Sequence, residues 1–288
     1  MTSILDYLSI SLVQNMFMAT VCACILCGVI GTYVVVNRMV ASTGGIAHTT
    51  FGGVGFAYYV MSVFMVGWMT PMLGAVIFAV VAAVIMVVCK RISDLRQDTM
   101  IGVLWAVGMA IGVIFMCFMD RTVVVPASFE TILFGNVLLV SRSTLLTMAV
   151  VTAVILIIVA FMYREFQILT FDQVHARISG MNVTLVDLVL YILVALSCVM
   201  VANVVGIIMI IALMTIPAAM ANLFTHNMKS MMLLGTVLSV ILSVLGLFLC
   251  LAWDSPPGAT VVLAVGIAFV AALIIKRLSK AESAKADS

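Results

Sequence analysis

The sequence is poor in charge: only 8% of its 288 residues are Asp, Glu, Lys or Arg. Soluble domains carry roughly a quarter, so a water-soluble globular protein is excluded. There is no GxxxxGK[ST] phosphate loop and no HExxH pair, and the long apolar runs contain no acidic residue. Without the phosphate loop, any ATP that drives the protein is bound by another chain; without HExxH, and with no acid or nucleophile pair around His48, an intramembrane enzyme loses ground. Ion-coupled secondary transporters usually pair intramembrane acids with their coupling ion, and that class loses ground here. The net charge of +2 is too small to argue for nucleic acid as a partner. The seven Cys are scattered in or at the ends of apolar runs and suggest no disulfide framework.

What is present is apolar: 66% of residues are hydrophobic and the mean hydropathy is +1.37. Charges at the centre of a bilayer are costly, so charge-free windows mark the segments that cross it. They run from Tyr7 to Asn37, Met39 to Cys89, Thr99 to Met119, Ser143 to Tyr163, Leu188 to Met228, Ser230 to Trp253 and Ser255 to Ile275. A crossing helix needs roughly 20 residues, so the windows from Met39 and from Leu188 each hold two. Their breaks are expected at Gly67 to Pro71 and at Asn203 to Gly206. The reading is an all-α, polytopic membrane bundle of about nine helices (eight to ten), a single domain over residues 1–288.

Arg38, Lys90, Arg91, Arg96, Arg164, Arg177, Lys229, Lys276, Arg277, Lys280 and Lys285 fall on one set of alternate loops, and only Arg121 and Arg142 on the other. Positive loops stay inside, which places the C-terminus in the cytoplasm, with 279–288 as a flexible tail. No cleavable signal is expected, so the first apolar run stays as a span. Two polar segments are long enough for structure of their own. The outer one, Asp120 to Arg142, is expected to hold a short helix in its apolar second half. The inner one, residues 164–187, places Phe171, Val174 and Ile178 on one helical face, with Gly180 closing the helix.

Polar side chains inside spans are candidate functional groups. His48 lies in Ser42 to Gly55 (STGGIAHTTFGGVG), dense in Gly, Ser and Thr. It is either a packed neutral imidazole or a metal ligand, since imidazole is the commonest transition-metal donor. His175 and His226 are expected on the cytoplasmic surface. Pro217 should kink its span, with Thr215 and neighbouring small residues absorbing the freed backbone groups.

At these residues the sequence resembles the ABC-3 permeases of zinc, manganese and iron(II) importers. Four stretches carry the resemblance: Val34 to Tyr58, Asp98 to Val113, Leu169 to Val183 and Val204 to Phe224. PPGATVVLAVGI at Pro256 to Ile267 closes the pattern. The resemblance implies a fold of the type II ABC importer kind and a homodimer of permeases in the cell membrane. It also implies two cytoplasmic ATPase subunits that bind the ATP and an extracytoplasmic metal-binding protein. No permanently bound cofactor is implied; a zinc or manganese ion is the cargo. Phe171, Asp172, Val174, Arg177 and Gly180 match the segment that contacts the ATPase.

In many members an Asp four residues before the His completes an intramembrane metal site. Here His48 is present and the Asp position is Gly44. A thiolate or thioether, Asn203, or His48 of a second subunit could supply the missing donor. Loss of the carboxylate tilts the expected cargo toward zinc, because carboxylates suit manganese and imidazole suits zinc. Gly44, Gly45, Thr49, Thr215 and Pro217 are expected along the pathway or at its hinges. A break in the second helix at Gly44, Gly45, Gly52 and Gly53 would carry His48 deeper into the bilayer. A permease for iron-chelate or cobalamin, and an ion-coupled secondary transporter, stand as alternatives.

Overall fold

The structure, a computed structural model, describes residues 11–92, 96–120, 122–124, 132, 135, 140–225, 227–253 and 255–286. The described residues form helices, turns and bends, and no strand. In chain order the helices are α1 (Ser11–Val36), α2 (Val40–Val63), α3 (Pro71–Ile92), α4 (Gln97–Phe118) and α5 (Arg142–Phe161). Two short helices follow, α6 (Tyr163–Phe171) and α7 (Gln173–Ile178), and then α8 (Val183–Val205), α9 (Ile207–Phe224), α10 (Met228–Trp253) and α11 (Pro257–Ala286).

Eight of the long helices are apolar enough to cross a membrane. The ninth, α2, is rich in Gly, Ser and Thr instead, and 16 of its 24 residues are buried. A helix enclosed by protein needs no lipid-facing side chains, which is how a helix so poor in aliphatics packs among the nine long helices of the described residues.

Both expected breaks are where the Gly and Pro residues put them. Thr70 caps α3 by accepting the amide of Leu73 (3.2 Å), and Pro71 occupies the first helical position, where its missing N–H costs nothing. Gly206 alone separates α8 from α9, at φ 86° and ψ 161°. L side chains rarely adopt that conformation, so a single glycine makes the turn.

The break considered within α2 is absent: Val40–Val63 is one helix. Its small residues serve close packing instead. A Cβ on Gly53 would fall on the carbonyl oxygen of Gly74, and a Cβ on Gly74 on that of Gly53. Two hydroxyls turn back along the chain, Thr43 to the Met39 carbonyl (3.0 Å) and Thr50 to the Ala47 carbonyl (2.5 Å). His48 therefore sits eight residues, about 12 Å, from the helix start at 1.5 Å per residue.

α2 packs chiefly between α3 and α4, and α8 covers α3; α1, α9, α10 and α11 pack together on the other side. One continuous apolar core joins the two groups through Ile30, Phe51, Ala79, Tyr191 and Val199. No disulfide forms among the described residues.

The short helix expected after Pro126 lies outside the described residues. At the start of that loop, the hydroxyl and amide of Thr122 bond to Asp120 (2.6 and 2.9 Å) and hold its carboxyl below the usual carboxylate range. At the far end, α11 runs on to Ala286, into the stretch expected to be a flexible tail. Its Lys, Ala, Glu and Arg are strong helix formers, so the helix continues past the last apolar turn.

Candidate functional site

His48 faces α4. Its imidazole is buried, 9% exposed, and lies flat against the indole of Trp105, with ring centroids 4.2 Å apart and planes 13° apart. Nδ1 is enclosed and has no hydrogen-bond partner. The hydroxyl of Thr49 donates to the Gly45 carbonyl (2.8 Å), with that of Leu104 also in reach (3.1 Å). It links α2 to α4 and is not directed to the imidazole.

Gly44 is one turn before His48. A Cβ there would stand 3.5 Å from Cδ1 of Ile211 and 3.9 Å from Cζ3 of Trp105, in ordinary contact. Position 44 thus has room for a Cβ. A Cβ at Gly45 would instead press on Ile101, at 3.3 Å. Among the described residues, no three His, Cys, Asp or Glu converge on one point.

The other candidate donor stands elsewhere. Asn203 is exposed near the end of α8, and its Nδ2 reaches the Met72 sulfur at 3.8 Å. It lines a cavity of about 280 Å³ with Thr50, Tyr58, Met72 and Thr144, and His48 is not in that wall. Pro217 lies inside α9. It cannot bond the Leu213 carbonyl one turn back; the Thr215 hydroxyl takes the Ile211 carbonyl (2.5 Å). Ile211 is the residue that meets Gly44, so α9 touches α2 beside the imidazole.

The expected single docking helix is two. Asp172 leaves helical geometry (φ −149°, ψ 83°), and its carboxylate accepts the His175 amide (2.8 Å), capping α7 and separating it from α6. An Asp at a helix start favours that role over continuing the previous helix. Gly180 ends α7 as expected, at φ 76°. Its amide bonds the Arg177 carbonyl (3.1 Å) and the next amide, of Met181, bonds that of Ala176 (3.1 Å). That pair of bonds is a Schellman closure. Phe171, Val174 and Ile178 are 65%, 69% and 80% exposed. His175 is exposed on the same helix; His226 lies outside the described residues.

Two features escaped the sequence reading. Trp105 lies in a stretch that carries the family resemblance, but its Cα pattern alone says nothing about stacking. The other is an acid inside a span. Asp187, placed just before the charge-free window, lies within α8, because that helix begins one turn earlier, at Val183. Lys90 neutralises it, and the spans are therefore not free of acids. Nearby, Gln97 donates to the hydroxyls of Ser42 (3.2 Å) and Tyr191 (3.1 Å). Lys90, Arg91, Gln173, Arg177 and Asp187 line one cavity of about 310 Å³, connecting α7 to the ends of α3 and α8.

Comparison with known proteins places this geometry. The ABC 3 transport family matches residues 9–276. A Synechocystis protein described as the membrane protein slr2045 is 37% identical over 92% of this chain and 90% of its own length. The manganese transport system membrane protein MntC of Halalkalibacterium halodurans is 32% identical over 92% and 87%. Among solved structures, PsaBC from Streptococcus pneumoniae in complex with Fab superposes with a TM-score of 0.81 at 28% identity, covering 93% of both chains. With nearly its whole length matched, and with the expected long helices in order, the chain belongs to the ABC 3 transport family.

Proposed function

We propose that this chain is the membrane-spanning subunit of an ATP-driven importer of a divalent metal ion, and that zinc is preferred over manganese. The observation that carries the reading is His48: a buried imidazole with an unpartnered nitrogen, in a chain similar over nine-tenths of its length to a permease named for manganese transport. Zinc is preferred because position 44 is Gly: the donor that remains is an imidazole without a hard carboxylate oxygen beside it.

One imidazole does not hold a divalent ion, so a second copy of the chain completes the site with its own His48. The permease works as a homodimer in the cell membrane, with the C-terminus in the cytoplasm. An extracytoplasmic binding protein delivers the ion. Two ATPase subunits engage the exposed apolar side chains of Phe171, Val174 and Ile178, beside Asp172, Arg177 and Gly180. ATP binding and hydrolysis on those subunits rock the two permeases between outward-open and inward-open arrangements, with Pro217 of α9 as a hinge. Asp187 does not favour ion-coupled transport, since its carboxylate is held by Lys90 rather than left to a coupling ion.

The test is ATP-dependent uptake of zinc and manganese in proteoliposomes that contain the permease, its ATPase and its binding protein. His48→Ala should abolish uptake of both ions. Undiminished uptake in that variant would remove His48 from the pathway, and uptake without the ATPase would overturn the importer reading.

A further inference from the structure

Lys90 and Asp187 pair at 2.9 Å and cancel each other's charge. The cavity of about 310 Å³ that they border keeps two further cations, Arg91 at the end of α3 and Arg177 on α7. Among the described residues, no acid pairs with either guanidinium. The carboxamide of Gln173 lines the same wall. Two unpaired guanidinium forks and an amide donor suit the oxygens of a phosphate. Topology alone accounts for Lys90 and Arg91 at the end of a span. Arg177 belongs to no span, and its presence in the same wall is what makes a site.

The depth of the cavity decides which phosphate. Pro71–Arg91 is a crossing of 21 residues, about 30 Å at 1.5 Å per residue, the thickness of the hydrocarbon core. Arg91 therefore lies at the level of the lipid headgroups. Leu73, Ile77, Val81, Val84 and Val88 follow one another along α3 in steps of three or four, and all are exposed. Arg91 is the next step, so an exposed apolar stripe ends in a cation at headgroup depth. On α7, Gln173 and Arg177 are one turn apart, as are Val174 and Ile178, with about 100° between the two pairs. The helix thus has an apolar face, proposed above for the ATPase, and a polar one that lines the cavity.

We propose that this cavity binds the phosphate of an anionic phospholipid, with Arg91 and Arg177 on its oxygens and an acyl chain along the stripe of α3. A free phosphate or an acidic side chain would use the cations and leave the stripe idle. A zwitterionic lipid would bring its own ammonium toward two uncompensated guanidiniums, whereas an anionic lipid with a glycerol headgroup does not. The bound lipid ties α7 to α3 and so anchors the docking helix to the bilayer. The site requires only that α3 and α8 cross a membrane, and it is independent of His48 and of the cargo.

The experiment uses the delipidated full chain in detergent, alone and with its ATPase. Dioleoyl phosphatidylglycerol is the probe, and bound lipid is counted by native mass spectrometry. The wild-type chain should bind it about tenfold more tightly than the matching phosphatidylcholine. Arg91→Gln should weaken phosphatidylglycerol binding about tenfold, the size of one lost charge-assisted hydrogen bond. Arg91→Lys, which keeps the charge and loses the fork, should fall between. Arg277→Gln, an equal loss of charge on α11, should bind as the wild type does. Equal affinity for the two lipids would overturn the proposal on the wild-type chain alone, with no variant needing to fold. So would an Arg91→Gln chain that binds phosphatidylglycerol no more weakly than Arg277→Gln. Inorganic phosphate that displaces the lipid at equal concentration would make this a soluble-anion site. Lipid binding abolished by the ATPase would make it a docking surface for an acidic partner. Either result would overturn the lipid site.

Discussion

Lys90 Nζ donates to Asp187 Oδ2 at 2.9 Å, joining the last turn of α3 to the first turns of α8. The carboxylate side chain is 6% exposed and the ammonium side chain 35%. Such a pair is held by what breaking it would leave behind, an uncompensated charge, more than by its own Coulomb energy. Lys90→Met should therefore lower stability by about 1–3 kcal/mol, less than for a fully enclosed pair because water reaches the lysine. Lys90→Met combined with Asp187→Leu should recover most of the loss. Thermal unfolding in detergent of both single variants and the double checks this; a loss in the double variant equal to the sum of the two single losses would show that the charges are independent.

Gly44 sets the second prediction. Because a Cβ there meets only ordinary contacts, Gly44→Asp should fold and place a carboxylate one helical turn from His48. Manganese uptake should then rise relative to zinc in a competition assay, as a hard oxygen donor joins the imidazole. An unchanged ion ratio would mean that position 44 does not face the ion.

The exposed side chains of α7 give the third. Val174→Asp with Ile178→Asp touches no core, so thermal stability should stay within about 0.5 kcal/mol of wild type. Copurification of the ATPase should nevertheless be lost, and uptake with it. Retained ATPase binding would place the docking surface elsewhere on the cytoplasmic side.

Much of the bundle was legible in the sequence because charge exclusion and Gly/Pro punctuation act locally. The turns at Pro71 and Gly206 need only their own residues to be recognised. The docking segment was half legible: exposed apolar residues and Gly180 stood out, while the joint at Asp172 depends on one carboxylate choosing a cap over a continued helix. Whether α2 is broken was open in the sequence because Gly44, Gly45, Gly52 and Gly53 signal either a break or a tight helix contact. The choice lies with Gly74 and the other residues across the interface. For the same reason His48 was found but Trp105 was not: a polar residue in an apolar run is visible along the chain, whereas a stack between helices exists only in three dimensions. Asp187 was missed by one helical turn, since charge-free windows underestimate a helix whose end is neutralised by a partner 97 residues away.

The burial of α2 bears on how the protein is made. A span in which Gly, Ser, Thr and His make up 11 of 24 residues gains less from lipid than its neighbours and would partition more weakly into the bilayer if it left the translocon alone. Its lodging is the cleft between α3 and α4, both synthesised later. The nascent chain must therefore hold α2 at the insertion channel, or loosely at the membrane interface, until about 55 more residues, through Phe118, have emerged. Insertion of this permease is then a cooperative event of three helices, and a chain truncated after Val63 should fail to retain its second span.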